Sequence, residues 1–158
     1  MTPAIKLLCK LGIDHKINQY ESSGHAGNYG KHAAAALGQD PHQVFKTLLA
    51  VLDANQRDPV VAVVPVAAQL DTKKLAMAMG ARRAEMADPA LAQRRTGYQI
   101  GGISPIGQKQ TLKTVIDETA QLYDRVFVSA GKRGLELELS PDDLAQVCQA
   151  SFVDICRE

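Results

Sequence analysis

Two apolar stretches determine the fold class: Val44-Phe45-Lys46-Thr47-Leu48-Leu49-Ala50-Val51-Leu52 and Val60-Val61-Ala62-Val63-Val64-Pro65-Val66. Both are nearly continuous hydrophobic runs that contain β-branched residues, a pattern typical of strands covered on both faces. Seven residues separate them, including Asp53, Asn55 and Pro59. The two runs therefore predict two strands at the centre of a sheet.

Helix signals lie on both sides of these strands. Four pairs offer an N-cap side chain followed by proline at the first helical position: Thr2-Pro3, Asp40-Pro41, Asp88-Pro89 and Ser140-Pro141. We expect the Asp40 pair to open only a turn before Val44. The other signals predict helices from Pro3 to Gly12, Tyr29 to Leu37, Thr72 to Met79, Pro89 to Gly97 and Pro141 to near Ala150.

A hairpin is predicted near the end of the chain. Arg125–Ser129 and Leu135–Leu139 flank a glycine-containing turn over residues 130–134, as in β-hairpins whose turns need a positive φ. In the second strand three leucines alternate with Glu136 and Glu138, so we expect both glutamates on a solvated face. Phe152–Ile155 predicts a short final strand.

Helices and strands interleave without strict βαβ regularity, so the expected fold class is α/β. We expect a mixed, curved, barrel-like sheet with surrounding helices. No repeat, linker or low-complexity segment interrupts the 158 residues. The sequence therefore predicts one domain over residues 1–158.

Composition excludes several classes of protein. Hydrophobic residues make up 46% of the chain and its formal net charge is +1, which argues against disorder and against a polybasic DNA-binding protein. No apolar run approaches the ~20 residues that cross a bilayer, so we expect no membrane partner. The scattered cysteines, Cys9, Cys148 and Cys156, are typical of reduced thiols in a cytoplasmic protein.

Lys46 is the first candidate functional residue. It lies inside an apolar strand, and alternation places it on the same face as Val44 and Leu48. A lysine in this position either extends its ammonium group to the surface or points into a wet cleft. The sequence leaves both interpretations open.

Two further segments carry unusual patterns. Residues 97–107 contain four glycines, which allow the backbone to approach a ligand closely but also form ordinary turns. Neither a P-loop nor a dinucleotide fingerprint is present. Lys132 and Arg133 project from the predicted hairpin turn. They are candidate contacts for RNA phosphates or simply solvated charges.

Common catalytic sets do not assemble. His15, His25, His32 and His42 form no metal-binding pair, and no cysteine has metal spacing. We interpret Cys9 and Cys148 as buried, inert thiols. The sequence therefore predicts a protein without metal, cofactor or protein nucleophile. Any catalysis would rest on positioning and backbone polarisation.

The chain resembles the YbaK family, which is related to the editing domain inserted in bacterial prolyl-tRNA synthetases. The resemblance covers nearly the whole chain, with long matching blocks such as Phe45-Lys46-Thr47-Leu48-Leu49 and Gly101-Gly102-Ile103-Ser104-Pro105. The two quoted blocks belong to longer matching stretches, residues 44–49 and 97–109. The other matching blocks are residues 1–8, 64–76, 85–89 and 128–134.

This resemblance implies a trans-editing deacylase that cleaves the ester between a wrong amino acid and the 3′ end of tRNA. The implied substrate is Cys-tRNA(Pro), with prolyl-tRNA synthetase as a candidate partner. Ala-tRNA(Pro) and a role as a non-catalytic tRNA- or synthetase-binding module are the alternatives. The substrate thiol attacks its own carbonyl in this branch, or water held near Lys46 does.

The resemblance also implies roles for individual residues. Lys46 would hold the phosphate of the terminal adenosine, and the Gly101 carbonyl would bind the α-amino group of the substrate. Tyr20 and Ser129 would line the aminoacyl pocket, and Gly102 and Ser104 are further candidate substrate-binding residues of the glycine-rich segment.

The sequence departs from the family pattern in three places. Residues 21–32 form an atypical stretch, Ala130 stands where glycine is more usual, and the turn at residues 53–59 differs from the family. The first departure could change the pocket entrance and so the amino acid that is accepted.

Overall fold

The computed structural model describes residues 1–22 and 28–157. Within these ranges it contains five α-helices and one 3₁₀ helix, Glu118–Leu122. The α-helices are α1 (Pro3–Leu11), α2 (Tyr29–Leu37), α3 (Thr72–Ala78), α4 (Pro89–Thr96) and α5 (Pro141–Cys148). All five helices predicted from the sequence are present, with ends that agree to within two residues.

Capping side chains explain where the helices begin. The Thr2 hydroxyl accepts from the Ile5 N–H, and the Asp71 carboxylate accepts from two N–H groups at the start of α3. Asp40 opens only a turn, as expected, and its carboxylate accepts from the His42 N–H at 2.9 Å. Left-handed glycines end three helices: Gly12, Gly38 and Gly97.

Ten strands are present within the described residues. They are β1 (Lys16–Gln19), β2 (Phe45–Leu52), β3 (Asn55–Pro65), β4 (Gln69–Leu70), β5 (Ala84–Met86), β6 (Thr114–Asp117), β7 (Val126–Lys132), β8 (Leu135–Leu139), β9 (Ser151–Val153) and β10 (Cys156–Arg157). The two apolar runs and the hairpin are confirmed as β2, β3, β7 and β8. The single strand predicted near the end of the chain is observed as two short strands. The first, β9, pairs with β6, and the second, β10, pairs with β4 in a different sheet.

The central sheet has the order β5-β2-β3-β6-β9. Strands β2 and β3 pair antiparallel, with Lys46 opposite Val64. Strands β3, β6 and β9 are parallel neighbours. The predicted mixed α/β class is therefore confirmed.

A second sheet has the order β1-β8-β7, and β4 pairs with β10 in a third. An isolated parallel bridge between Val44 and Phe127 connects the two larger sheets. The Phe127 N–H also donates to the Gln43 carbonyl at 3.1 Å. Among residues 1–22 and 28–157 these sheets do not close into a barrel. In place of the expected barrel, the structure shows two larger sheets connected through the Val44–Phe127 bridge.

Both faces of β2 and β3 are covered, as the apolar runs predict. Phe45, Leu49 and Val63 face one buried cluster, which also holds Leu8 and Leu137. The opposite face carries a second cluster, built from Ala50, Ala62, Val64, Leu75 and Ile155. Apolar burial on two faces fixes the position of β2, and with it the position of Lys46.

Two burial predictions are wrong. Cys9 is exposed, because the buried side of α1 is formed by Ala4, Ile5 and Leu8, and the next residue points about 100° away from Leu8. Glu136 is buried rather than solvated, with 5% of its surface exposed. Residues of β2 and α2, among them Lys46 and Tyr29, lie over the side of β8 that carries Glu136, so alternation with leucines does not expose it. No helix in the described part of the chain is long and apolar enough to cross a membrane.

Candidate functional site

A cavity of about 290 Å³ lies where β2, the start of α2, the glycine-rich segment and the β7–β8 hairpin meet. Four of the predicted site residues line it: Tyr20, Lys46, Gly101 and Ser129. These residues are spread over more than one hundred positions of the sequence. The fold therefore brings together four residues that the resemblance had singled out.

Lys46 is half-buried at this cavity. Burial lowers the pKa of its ammonium group, and the nearby charge of Lys31 lowers it further. Lys46 forms no ion pair with any residue that the structure describes. Of the two interpretations left open by the sequence, the geometry favours a lysine that points into a cleft, where it can meet an anionic group.

The first turn of α2 packs closely beside Lys46. A Cβ at Gly30 would overlap the Val66 side chain and lie 3.8 Å from the Lys46 Cβ. Tyr29 and Lys31, on either side of Gly30, also line the cavity. Residues 21–32 were predicted as a stretch that could change the pocket entrance, and these three residues near its end do line the cavity, although none of the three was predicted individually. The glycine at the second helical position was the available signal.

Tyr20 and Ser129 form another wall. The Tyr20 N–H donates to the Gly134 carbonyl at 3.0 Å, and its ring meets His32 edge-on with centroids 6.0 Å apart. Burial raises the pKa of the Tyr20 hydroxyl. The Ser129 hydroxyl accepts from the Gly131 N–H at 3.1 Å. The hairpin turn therefore holds the backbone of Tyr20 and the hydroxyl of Ser129.

The two adjacent glycines have different environments. Gly101 has a φ of +88°, and a Cβ there would overlap Arg133 Nε and come within 3.0 Å of the Tyr29 ring. Gly102 is buried and does not line the cavity. A Cβ at Gly102 would lie 2.9 Å from the Arg133 backbone nitrogen, so this glycine allows the hairpin turn to pack against the loop.

Ser104 does not line the cavity either. It is fully buried, and its hydroxyl accepts from the Ile106 N–H at 3.2 Å. Its carbonyl accepts from the Gln108 side chain at 3.0 Å. These bonds hold the loop in shape, so the position of Ser104 indicates support of the loop rather than contact with a ligand.

Lys132 and Arg133 are both exposed, but only one has a free head group. The Arg133 guanidinium donates to the Ile100 carbonyl at 3.1 and 2.8 Å and stacks over the Tyr29 ring at 4.2 Å. Lys132 has no side-chain partner within the described residues. The two cations therefore have different local roles.

Glu136 is the principal site residue that was not predicted from the sequence. Its side chain lines the cavity, and burial raises the pKa of its carboxyl group to about 8. One carboxyl oxygen, Oε2, is buried and has no hydrogen-bond partner among the described residues. Alternation with leucines suggested a solvated residue, and the burial follows only from the packing of β2 and α2 around the same cavity.

The remaining nucleophilic and metal-binding candidates lie elsewhere. No group of three His, Cys, Asp or Glu residues suited to a metal ion occurs within residues 1–22 and 28–157. His25 lies outside the described residues, as does part of the atypical stretch 21–32. The Cys148 thiol donates to the Pro105 carbonyl at 3.2 Å, and burial raises its pKa to about 12.

Fold and cavity together define an α/β domain with a small, partly polar ligand site. The chain belongs to the aminoacyl-tRNA editing domain family, whose profile matches residues 25–147. The resemblance to YbaK-type proteins is thereby confirmed.

Named relatives extend this comparison. The chain is 43% identical over 122 residues to "Putative Cys-tRNA(Pro)/Cys-tRNA(Cys) deacylase EbsC" of Enterococcus faecalis, covering 77% of this chain and 73% of EbsC. It is 28% identical over 155 residues to "Multifunctional Ser/Thr-tRNA deacylase ProXp-y" of Escherichia coli K12, covering 97% of this chain and 90% of ProXp-y.

One comparison concerns a larger protein, and another concerns the fold. The proline–tRNA ligase of Streptococcus mutans is 30% identical over 123 residues, which is 77% of this chain and 19% of the ligase. A crystal structure of "a putative trans-editing enzyme for prolyl tRNA synthetase" superimposes with a TM-score of 0.83 at 23% identity, over 100% of this chain and 99% of that one. This likeness shows that the fold is shared.

Proposed function

We propose that this protein is a trans-editing deacylase that cleaves the aminoacyl ester of mischarged tRNA, with Cys-tRNA(Pro) as its leading substrate. The observation that carries the proposal is the cavity shared by Lys46, Gly101, Tyr20 and Ser129 in a chain of the aminoacyl-tRNA editing family. The name of EbsC, a relative at 43% identity, supports the cysteine assignment.

The size of the cavity fits this substrate. Pockets for drug-sized ligands have volumes of roughly 300–1,000 Å³, and this cavity, at about 290 Å³, lies at the lower end. It suits a small aminoacyl group. Prolyl-tRNA synthetase mistakes cysteine for proline because a pocket gains only ~1–3 kcal/mol of selectivity from one methylene group. A separate editing enzyme removes the product of that error.

Each cavity residue has a proposed role. Lys46 binds the phosphate of the terminal adenosine and so fixes the 3′ end of the tRNA. The Gly101 carbonyl accepts a hydrogen bond from the α-amino group. Tyr20 and Ser129 bound the space for the aminoacyl side chain. Lys132 contacts a tRNA phosphate outside the cavity, where its charge is unpaired.

Two routes cleave the ester. In one, the thiol of the substrate cysteine loses its proton and attacks its own carbonyl carbon, forming a cyclic thioester. The C–O bond to the ribose breaks, and the ribose oxygen takes up a proton. In the other, water attacks the carbonyl and yields free amino acid. The first route needs no protein nucleophile and works only for a thiol-bearing amino acid.

The identity of the aminoacyl group has competitors. ProXp-y, which is named as a Ser/Thr-tRNA deacylase, aligns with nearly the whole chain. The Thr47 hydroxyl in this cavity is buried and unpartnered within the described residues, and it could bond a substrate hydroxyl. Ala-tRNA(Pro) would also fit by size. Serine, threonine and alanine could leave only by the water route.

The first experiment measures release of labelled amino acid by the purified protein from Cys-, Ala- and Pro-tRNA(Pro) and from Ser- and Thr-tRNA. Fastest release of cysteine, with Pro-tRNA(Pro) intact, is the expected result. Faster release of alanine, serine or threonine would overturn the cysteine assignment and keep the deacylase. No release from any of the five would favour the non-catalytic binding module.

Prolyl-tRNA synthetase is the proposed partner, because the cavity itself contacts only the aminoacyl end. Adding the synthetase to the release assay is expected to increase the rate with tRNA(Pro) and to leave the rate with other tRNAs unchanged. An enzyme acting on charged tRNA during translation would work in the cytoplasm. We therefore propose that location as well.

A further inference from the structure

We propose that Glu136 recognises the α-ammonium group of the aminoacyl moiety, so that the site accepts esters of free amino acids and rejects N-blocked ones. This inference rests on the proposed deacylase function and adds a specificity determinant to the same site. Its consequence is protection of peptidyl-tRNA and formylated aminoacyl-tRNA, which carry an amide in place of the ammonium group.

The first step is the position of the side chain. Glu136 lies at the centre of the second sheet, opposite Ser129 of β7 and Asn18 of β1. Only 5% of its surface is exposed, and it lines the cavity beside Tyr20. The charge of Glu136 raises the pKa of the Tyr20 hydroxyl, so the two polar groups are close.

The second step is the absence of an internal partner. Oε2 of Glu136 has no hydrogen bond within the described residues. None of the ion pairs in that part of the chain involves Glu136. A buried carboxyl group without a donor or cation is strongly unfavourable, and the raised pKa, about 8, reflects that burial. A ligand that supplies the missing partner removes this penalty.

The third step identifies the partner by its charge. The terminal adenosine offers phosphates, which a carboxylate repels. The side chains of cysteine, alanine, serine and threonine are uncharged. The α-ammonium group is the cation that every candidate substrate has in common. Its positive charge favours the ionised form of a nearby carboxyl group.

The geometry of an ammonium group allows this contact together with the Gly101 carbonyl. An ammonium carries three N–H donors, so it can donate to Gly101 and to Glu136 at once. Both residues line the cavity. An N-acyl amide has one N–H, no charge and a bulky carbonyl. It therefore cannot neutralise the carboxylate of Glu136, and it does not fit the space beside it.

The test compares two substrates that differ only at the α-nitrogen. The full-length protein is given the aminoacyl-tRNA that it cleaves best and the same aminoacyl-tRNA acetylated on nitrogen. The wild type is expected to prefer the free amine by about 10- to 100-fold, as for one hydrogen bond to a charged group. Equal rates for the two substrates in the wild type would overturn the inference without any variant.

Glu136→Gln then assigns the preference to the side chain. The amide keeps the size of the carboxyl group but cannot become negative. We expect the rate for the free amine to fall and the rate for the acetylated substrate to stay the same, so that the ratio falls to the smaller preference given by the Gly101 carbonyl and by the space at the nitrogen. The matched control is Glu118→Gln, at an exposed glutamate, which should keep the wild-type ratio.

The outcomes separate this inference from the proposed function. A wild type that cleaves no free-amine substrate overturns both. A wild type that prefers the free amine, together with a Glu136→Gln variant that keeps the preference, overturns the role of Glu136 and leaves the deacylase standing. If Glu136→Gln does not fold, Glu136→Asp replaces it. The shorter carboxylate is expected to lower the ratio, and an unchanged ratio would count against the inference.

Discussion

The guanidinium carbon of Arg133 lies 4.2 Å from the centroid of the Tyr29 ring. The same side chain donates two hydrogen bonds to the Ile100 carbonyl, at 3.1 and 2.8 Å. One exposed cation therefore ties the hairpin turn to the start of α2 and to the glycine-rich segment. The strands of the hairpin, the start of α2 and the glycine-rich segment all contribute residues to the wall of the cavity.

Arg133→Ala is expected to lower kcat by loosening this connection. A cation–π contact at an exposed site contributes ~0.5–1 kcal/mol, and a hydrogen bond to a charged group ~1.5–3 kcal/mol, so a decrease of about 10-fold is expected. Lys132→Ala is the matched comparison. It should raise KM and reduce the salt dependence of tRNA binding by about one phosphate contact.

A different result for Arg133→Ala would contradict this role in holding the site together. If Arg133→Ala changed only KM and the salt dependence, as Lys132→Ala does, Arg133 would bind tRNA phosphate, as the sequence analysis suggested. Arg133→Lys refines the result, because lysine keeps the charge but loses the paired donors and the planar stacking surface.

Gly101→Ala is expected to reduce activity more than an equally strained substitution elsewhere. Gly101 has a φ of +88°, and a non-glycine residue with a positive φ costs about 1–2 kcal/mol. Its Cβ would also displace Arg133 and press on the Tyr29 ring. Gly80→Ala is the control, since Gly80 has a φ of +68° and open space around it.

Thermal unfolding and deacylation rates check this pair of variants. Both should lose similar stability from backbone strain, and only Gly101→Ala should lose most of its activity. Equal activity in the two variants would mean that the conformation around Gly101 does not matter to the reaction.

The fold was largely predictable because its signals are local or periodic. The N-caps at Thr2 and Asp71, the left-handed glycines after helices and the apolar runs of β2 and β3 each act within a few residues. The short strands β1, β4, β5 and β6 were not predicted. All four have two to four residues with mixed sequences, and only pairing with another strand makes each one extended.

The site was predictable only in part, for a related reason. The family resemblance supplied Lys46, Gly101, Tyr20 and Ser129, which the structure brings to one cavity. It did not supply Glu136, whose burial depends on residues of β2 and α2 that are distant in the sequence. The exposure of Cys9 likewise depends on which side of α1 meets the core. That the chain is a single domain over residues 1–158 stays a prediction.

Replacing all three cysteines is expected to leave deacylation within about twofold of the wild type, because no protein thiol takes part in the proposed reaction. Cys9 is exposed and does not line the cavity, and burial raises the pKa of the other two thiols, which keeps them protonated. The variant Cys9→Ser, Cys148→Ala, Cys156→Ala tests this. Abolished turnover in a folded triple variant would reveal a thiol nucleophile.

Glu136 is expected to make the protein less stable as the pH rises. Its carboxyl pKa is raised from 4.5 to about 8, so between these values the folded state keeps a proton that the unfolded state releases. The contribution of Glu136 to the stability of the protein is greatest below pH 4.5 and falls as the pH rises to about 8. The upper limit of the loss is on the order of 5 kcal/mol.

Urea unfolding of the wild type and Glu136→Gln at several pH values between 5 and 8 measures this effect. The glutamine variant has no proton to exchange, so its free energy of unfolding should fall less over that range. Glu118→Gln should follow the wild type. Parallel curves for all three proteins would show that Glu136 is ionised in the folded state over the whole range.

Lys46→Ala is expected to abolish most of the deacylase activity and to leave the fold intact. Lys46 lies at the end of the apolar part of β2 nearest the cavity, and its pKa is lowered chiefly by burial and then by Lys31. Removing a partly buried cation relieves a desolvation penalty. The variant should therefore be at least as stable as the wild type while it loses its contact with the substrate phosphate.

Lys73→Ala is the matched control, because Lys73 is exposed and its side chain has no partner within the described residues. Rates of amino acid release and thermal unfolding are compared for both variants. A loss of at least 100-fold is expected for Lys46→Ala alone, since a misplaced reacting group costs about that much. Near-normal turnover by folded Lys46→Ala would mean that the phosphate is held elsewhere, with Lys31 as the next residue to replace.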